Sequence, residues 1–442
     1  MFRVLAAALL LGTAVPALAQ TLPPAPPATI TYLHAGTLLD RPGQKPRGNS
    51  TLIIRDGKVA EIRDGFATPE AGATLIDLRD KFVLPGLIDM HVHLLGIGGD
   101  PLRERLTALN TESADNILYG AGNARTTLLA GFTTVRDLGG DARGIRALRD
   151  AVERGDVEGP TIVNAGMAVA VTGGHADPLN GIAEPFAHAI AASVENTCDG
   201  PADCTRATRR QIGLGAQVIK ITATGGVLSN VSGGLGRAFT LDEMRAIVET
   251  AHNLGRKVAA HSHAADGTKA ALTAGVDSIE HGSFLDDEAI ALLKKTGAYL
   301  VPTEIAPVAA LAQARAGALP PATIPKAEAA AAAMVASHRK ARAAGVKFAF
   351  GTDSGVSKHG QNATEFALLV DQIGMTPAEA IRTATVAAAD LLGQSATLGT
   401  LEVGKTADVI AVAGSPLEDV RRLERVDFVM HRGKVAKGPG RD

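Results

Sequence analysis

Tryptophan is absent from the 442-residue chain, and tyrosine occurs only as Tyr32, Tyr119 and Tyr299. Proteins that hold single-stranded nucleic acid stack its bases on aromatic side chains, so this scarcity argues against that class. An excess of one charge is lacking too: 44 Lys and Arg against 46 Asp and Glu leave a formal net charge of -2. No basic cluster stands out, which removes the electrostatic footprint of a nucleic-acid partner. Cysteine is limited to Cys198 and Cys204, in a Gly/Pro/Asp loop. Two thiols so placed can form a local disulfide or part of a metal site, and with no histidine close in sequence the disulfide is favoured. Apolar runs long enough to cross a bilayer are also missing: Val4 to Val15 falls short of the roughly 20 residues a span needs.

That short run follows Arg3 and precedes Ala17-Leu18-Ala19, the layout of a secretory signal peptide over residues 1–19. Residues 20–28, rich in proline and alanine, read as an extended linker. The protein is therefore expected to be exported, periplasmic or secreted, with no membrane anchor.

The 46% hydrophobic content is enough for one large core and a smaller second one. Residues 29–84 alternate in the manner of β-strands, with Asp56-Gly57 between apolar runs as a hairpin signal. Residues 396–442 repeat that grammar, with a strand from Ala407 to Val412 and a second hairpin about Arg432-Gly433. Neither segment can bury a core alone, so a small β-sandwich domain built from both chain ends is expected.

Residues 85–395 alternate strands and helices. Candidate strands are Leu84–His93, Phe132–Asp137, Thr161–Ala165, Gln217–Thr222, Lys257–His263, Asp277–Gly282, Ala298–Thr303 and Lys347–Asp353. Thr240 with Glu243, and Thr376 with Glu379 behind Pro377, are capping boxes at helix starts. Eight such units predict an α/β fold, a TIM (β/α)8 barrel. The rival doubly wound sheet lacks its Gly-x-Gly-x-x-Gly fingerprint.

Barrel chemistry sits at the C-terminal strand ends. His91 and His93, two apart on the first strand, point to one face. Lys220 lies on the fourth strand, His261 and His263 on the fifth, His281 on the sixth and Asp353 on the eighth. Each has an ordinary explanation by itself: a strand lysine reaching water, a packed core histidine, a turn aspartate. Five of the 12 histidines at these positions point instead to a metal site. A buried Lys220 would be costly to hold charged, and its neutral amine can take up CO2 as a carbamate.

The stretch Val83-Leu84-Pro85-Gly86-Leu87-Ile88-Asp89-Met90-His91-Val92-His93, with Ser278-Ile279-Glu280-His281-Gly282, Gly351-Thr352-Asp353-Ser354-Gly355 and Leu398 to Asp408, resembles the amidohydrolase superfamily. Thr172-Gly173-Gly174-His175 and Thr224-Gly225-Gly226-Val227 are similar to loops of its imidazolonepropionase-related branch, which holds Xaa-Pro dipeptidases and ochratoxin-hydrolysing amidohydrolases. The resemblance implies two Zn2+ ions: His91, His93 and Asp353 on the first, His261 and His281 on the second, and carboxylated Lys220 between them. It leaves His263 and His175 for catalysis or substrate binding, with Asp353 as general base. It also implies a homo-oligomer as large as an octamer and a small-molecule amide or peptide substrate.

Three further residues are candidates for substrate contact. Arg237 can clamp a carboxylate or be a solvated loop arginine, and Val227 and Leu228 can line the pocket or pack between loops. The segment Ile305–Ala331 reads as a lid or an oligomer contact. Rival functions on the same fold are a cyclic-amide hydrolase or deaminase, which would not need a modified lysine, and a non-catalytic metal-binding scaffold.

Overall fold

The computed structural model describes residues 29–96, 111–180, 182–227, 234–317 and 323–441. The signal peptide and linker expected at residues 1–28, Leu228, and residues 318–322 of the lid segment lie outside them. The first strands are β1 (Ile30–Leu38), β2 (Ser50–Arg55), β3 (Lys58–Asp64) and β4 (Thr74–Pro85). Then come β5 (Leu87–Val92), β6 (Phe132–Asp137), β7 (Thr161–Asn164), β8 (Val218–Thr222), β9 (Lys257–Ala264), β10 (Ser278–Phe284), β11 (Tyr299–Val301) and β12 (Lys347–Phe348). The chain ends with β13 (Val409–Val412), β14 (Val426–His431) and β15 (Lys434–Lys437).

Both chain ends do contribute to one sheet, in the order β15-β14-β13-β4-β1-β2-β3. Instead of the two sheets of a sandwich it is a single seven-stranded sheet. The long strand β4 makes it continuous: residues 74–83 pair in parallel with β1, while Phe82–Pro85 pair antiparallel with β13. Both expected hairpins form. Asp56 and Gly57 (φ 49° and 76°) and Arg432 and Gly433 (φ 50° and 77°) take the double positive-φ conformation that suits a two-residue turn to the strand twist. Leu33, Leu52, Ile54, Val83, Val409 and Phe428 fill the core of this sheet.

The central residues form two parallel sheets, β5-β6-β7 and β12-β11-β10-β9-β8, with helices between successive strands. Their strands are buried almost throughout, as parallel strands covered on both faces must be. Backbone bonds join the two sheets at both edges: Gln217 N–H to Asn164 O (2.8 Å) on one side, and Met90 N–H to Phe350 O (2.8 Å) and Asp353 N–H to His91 O (2.7 Å) on the other.

Both expected capping boxes close, Thr240 with Glu243 and Thr376 with Glu379. Cys198 and Cys204 are joined by a disulfide, so the metal alternative for this pair falls away. Two departures matter for the site. Regular pairing of the eighth strand ends at Phe348, because the chain beyond it bends toward β5 and gives Asp353 a φ of 55°. The Ile305–Ala331 segment holds the helix Ile305–Arg315 and the start of the helix Thr323–Ala343, whose alanine-rich sequence has high helix propensity. No described helix is long and apolar enough to cross a membrane.

Candidate active site

His91, Lys220, His261, His263, His281 and Asp353 are all buried at one end of the parallel sheets, with His93 partly open beside them. Nε2 of His93 lies 3.1 Å from Asp353 Oδ1, and Nε2 of His91 lies 3.4 Å from the same oxygen. Lys220 Nζ is 3.4 Å from His91 Nε2. The rings of His261 and His281 are 4.6 Å apart, and those of His91 and His281 5.1 Å. Six residues scattered over more than 260 positions thus converge on one spot. His281 (φ 70°), Thr303 (φ 55°) and Asp353 (φ 55°) adopt left-handed backbone conformations there, strain of the kind concentrated at functional sites.

Hydrogen bonds fix which ring nitrogens are free. Nδ1 of His93 sits 2.9 Å from Gly139 O; a carbonyl only accepts, so Nδ1 carries the proton. Nδ1 of His91 likewise donates to Glu280 Oε2 at 3.0 Å. The Nε2 atoms of both rings therefore face the Asp353 carboxylate. Lone pairs and an anion at 3.1–3.4 Å repel unless a positive charge sits among them. His93 registers that demand: although burial works against its charge, Asp353 raises its pKa to about 9. These ligand atoms lie within 4.8 Å of one another, and the donor set of two imidazoles and a carboxylate suits a divalent ion such as zinc.

The neighbours shift in a consistent direction. Burial lowers Lys220 to about 8, which puts its neutral amine within reach of ordinary pH. Burial, then the nearby cations, holds His263 at about 3 and His175 at about 4, so both rings are neutral. His263 is oriented through Nδ1 by Ser283 Oγ at 2.8 Å, and His281 through Nδ1 by Thr303 Oγ1 at 2.8 Å.

The amidohydrolase family model matches residues 82–436. The chain belongs to the amidohydrolase family. It is a hydrolase acting on amide bonds. The chain is 34% identical to ochratoxinase of Aspergillus niger, over 93% of this chain and 88% of the relative. A crystal structure of a Xaa-Pro dipeptidase with methionine bound in its active site superposes with TM-score 0.87 at 39% identity, covering 93% of this chain and all of that one. The A. niger ochratoxinase structure gives 0.81 at 32% identity, covering 93% and 96%.

In this amidohydrolase the ligand set opens into a cavity of about 400 Å3, within the size range of small-molecule sites. Its floor carries the histidines, Lys220 and Asp353. Val227 and His175 line it as expected, and the ring of His175 approaches Gly226 so closely that a Cβ there would lie 2.7 Å from it. Arg237 does not: its side chain is exposed, its backbone bridges to Thr224, and it is not among the cavity residues. Ala306, Pro307, Ala310 and Ala327 of the Ile305–Ala331 segment, with Met334 just beyond it, form an apolar wall.

Several supporting residues escaped the sequence reading. Asp89, fully buried, accepts bonds from His91 N, Thr352 N, Thr352 Oγ1 and Asn362 Nδ2 at 2.6–3.2 Å, tying the first ligand strand to the loop of Asp353. His338 donates through Nε2 to His281 O (2.6 Å), and its Nδ1 lies 2.5 Å from Glu304 Oε1. Arg136, 2% exposed, donates to Glu280 Oε1 at 2.8 Å. The available signal was a charged residue inside an otherwise apolar strand, in Thr134-Val135-Arg136, since isolated buried charge is costly.

Proposed function

We propose that this chain is a binuclear zinc-dependent amidohydrolase that cleaves an amide or peptide bond and releases a C-terminal amino acid. The observation that carries the reading is the convergence of two imidazole Nε2 atoms, their Nδ1 atoms already engaged, on the Asp353 carboxylate beside buried Lys220. On this reading His91, His93 and Asp353 would hold one metal, His261 and His281 the second, and Lys220, as a carbamate, would be a ligand to both. That carbamate forms when the neutral lysine nitrogen bonds to the carbon of CO2 and its proton leaves to solvent. The two parallel sheets are read as one closed (β/α)8 barrel with all these residues at its C-terminal end. The disulfide supports export to an oxidising compartment.

When bound, the metals supply a water of lowered pKa and polarise the scissile carbonyl. Asp353, which is kept ionised by His91 and His93 against the effect of burial, accepts a proton at the cavity floor and returns it to the leaving nitrogen. His263 and His175 are neutral donors for developing charge on the carbonyl oxygen or for a substrate carboxylate. The apolar wall keeps bulk water from the reacting groups. The ochratoxinase and Xaa-Pro dipeptidase relatives support Xaa-Pro dipeptides, N-acyl amino acids and ochratoxin A as substrates to test.

The test is hydrolysis of that panel, with cytosine-like rings added, by the zinc-loaded protein. Release of a C-terminal amino acid that disappears in Lys220→Ala is expected. Ammonia release from the rings, retained by Lys220→Ala, would move the protein to the deaminases.

A further inference from the structure

We infer that Arg136 is a positioning residue that sets the spacing between the two halves of the metal site, an inference that rests on the binuclear reading above. Its side chain lies on β6, 2% exposed, and makes three bonds that end on two other strands. Nε donates to Met90 O on β5 at 2.6 Å; Nη1 and Nη2 donate to Ser278 Oγ and Glu280 Oε1 on β10 at 3.1 and 2.8 Å. Ser278 Oγ donates to the same Glu280 oxygen at 2.5 Å. The other oxygen, Oε2, accepts from His91 Nδ1 at 3.0 Å.

The placement gives these bonds their meaning. Strands β5 and β10 are not neighbours: the backbone path between them runs through β11 and the chain that follows β12, whereas the guanidinium spans them directly. Met90 immediately precedes His91, and Glu280 immediately precedes His281. One guanidinium therefore grips the chain next to a ligand of each half-site and, through Glu280, also orients the His91 ring. A carboxylate behind a ligand histidine fixes its tautomer and its aim at the metal. The planar guanidinium holds its three partners at set angles, which a lysine ammonium at the end of a flexible stem does not. Buried ion pairs contribute little to stability compared with apolar packing, so geometry is the better account of an arginine at this depth.

The test compares wild type, Arg136→Lys and Glu280→Gln, with zinc affinity measured by chelator competition and ligand geometry by the visible spectrum of the cobalt-loaded protein. Arg136→Lys retains a charge opposite Glu280 but loses the fork. Glu280→Gln retains the shape and serves if the lysine variant does not fold. A 10- to 100-fold loss of zinc affinity, an altered cobalt spectrum and a fall in kcat with KM little changed are expected. Far-ultraviolet circular dichroism of the zinc-free protein should match wild type. Zinc affinity and cobalt spectra equal to wild type in the folded variants would overturn the role of Arg136. A wild-type protein that binds neither metal would instead overturn the binuclear reading, and this inference with it.

Discussion

Asp408 stands where the terminal sheet meets the parallel sheets, and it makes a measurable demand on stability. It is 6% exposed. Its Oδ1 accepts from Arg432 N at 2.7 Å, while Oδ2 has no partner among the described residues. Burial raises its pKa from 3.8 to about 7, against the opposing effect of the Arg432 backbone bond. The native state therefore holds a proton that the unfolded chain releases as pH rises above about 4, and stability falls from there until pH passes about 7. Between pH 5 and pH 8 the ionisation covers roughly two units at 1.36 kcal/mol each, or about 3 kcal/mol. Asp408→Asn keeps the acceptor for Arg432 and cannot ionise. Urea unfolding of the zinc-loaded wild type and variant at several pH values isolates this residue, because every other titrating group is shared and cancels in the difference. The wild type should lose about 3 kcal/mol relative to the variant over this range. A difference that changes by less than about 1 kcal/mol would show that Asp408 is ionised in the fold at little cost, and would refute the reasoning.

Other perturbations act on the site and its surroundings. Gly351→Ala would put a Cβ 2.3 Å from Val301 Cγ1 and 3.1 Å from His91 Cβ; overpacking of this kind costs about 1–3 kcal/mol, and calorimetry should show a lower Tm together with weaker zinc binding. Lys220→Ala should lower zinc content, read by elemental analysis, and reduce kcat/KM at least about 100-fold if the lysine carries a metal bridge. Chelation should abolish hydrolysis and added zinc restore it, whereas activity that persists after complete metal removal would contradict the site. Replacing Cys198 and Cys204 by serine opens only a short loop, so chemical denaturation should report a loss of about 2 kcal/mol with zinc affinity unchanged.

Much of the candidate site was legible because residue types able to hold a metal leave short-range marks. His91 and His93 are two apart in sequence at the end of an apolar run, and the Ser278–Gly282 and Gly351–Gly355 stretches each set a histidine or aspartate close to a glycine. The hairpins at Asp56-Gly57 and Arg432-Gly433 were legible for a similar reason, since only local backbone conformation is involved. Arg136 left a weaker mark: its three partners lie 46 to 144 positions away, and nothing within a strand-length window announces them. Arg237 stayed open between its two readings because a glycine-rich stretch shows that a loop exists without showing where its side chains point.

The sequence by itself determined the periodicities, the turns, the caps and the types of ligand, all consequences of interactions within a few residues. The tertiary structure decided which ring nitrogens face Asp353, which strands Arg136 ties together and which helices wall the cavity. Those depend on side chains brought together across sheets that share no continuous ladder, where position follows from packing of the whole chain and not from local conformational preference.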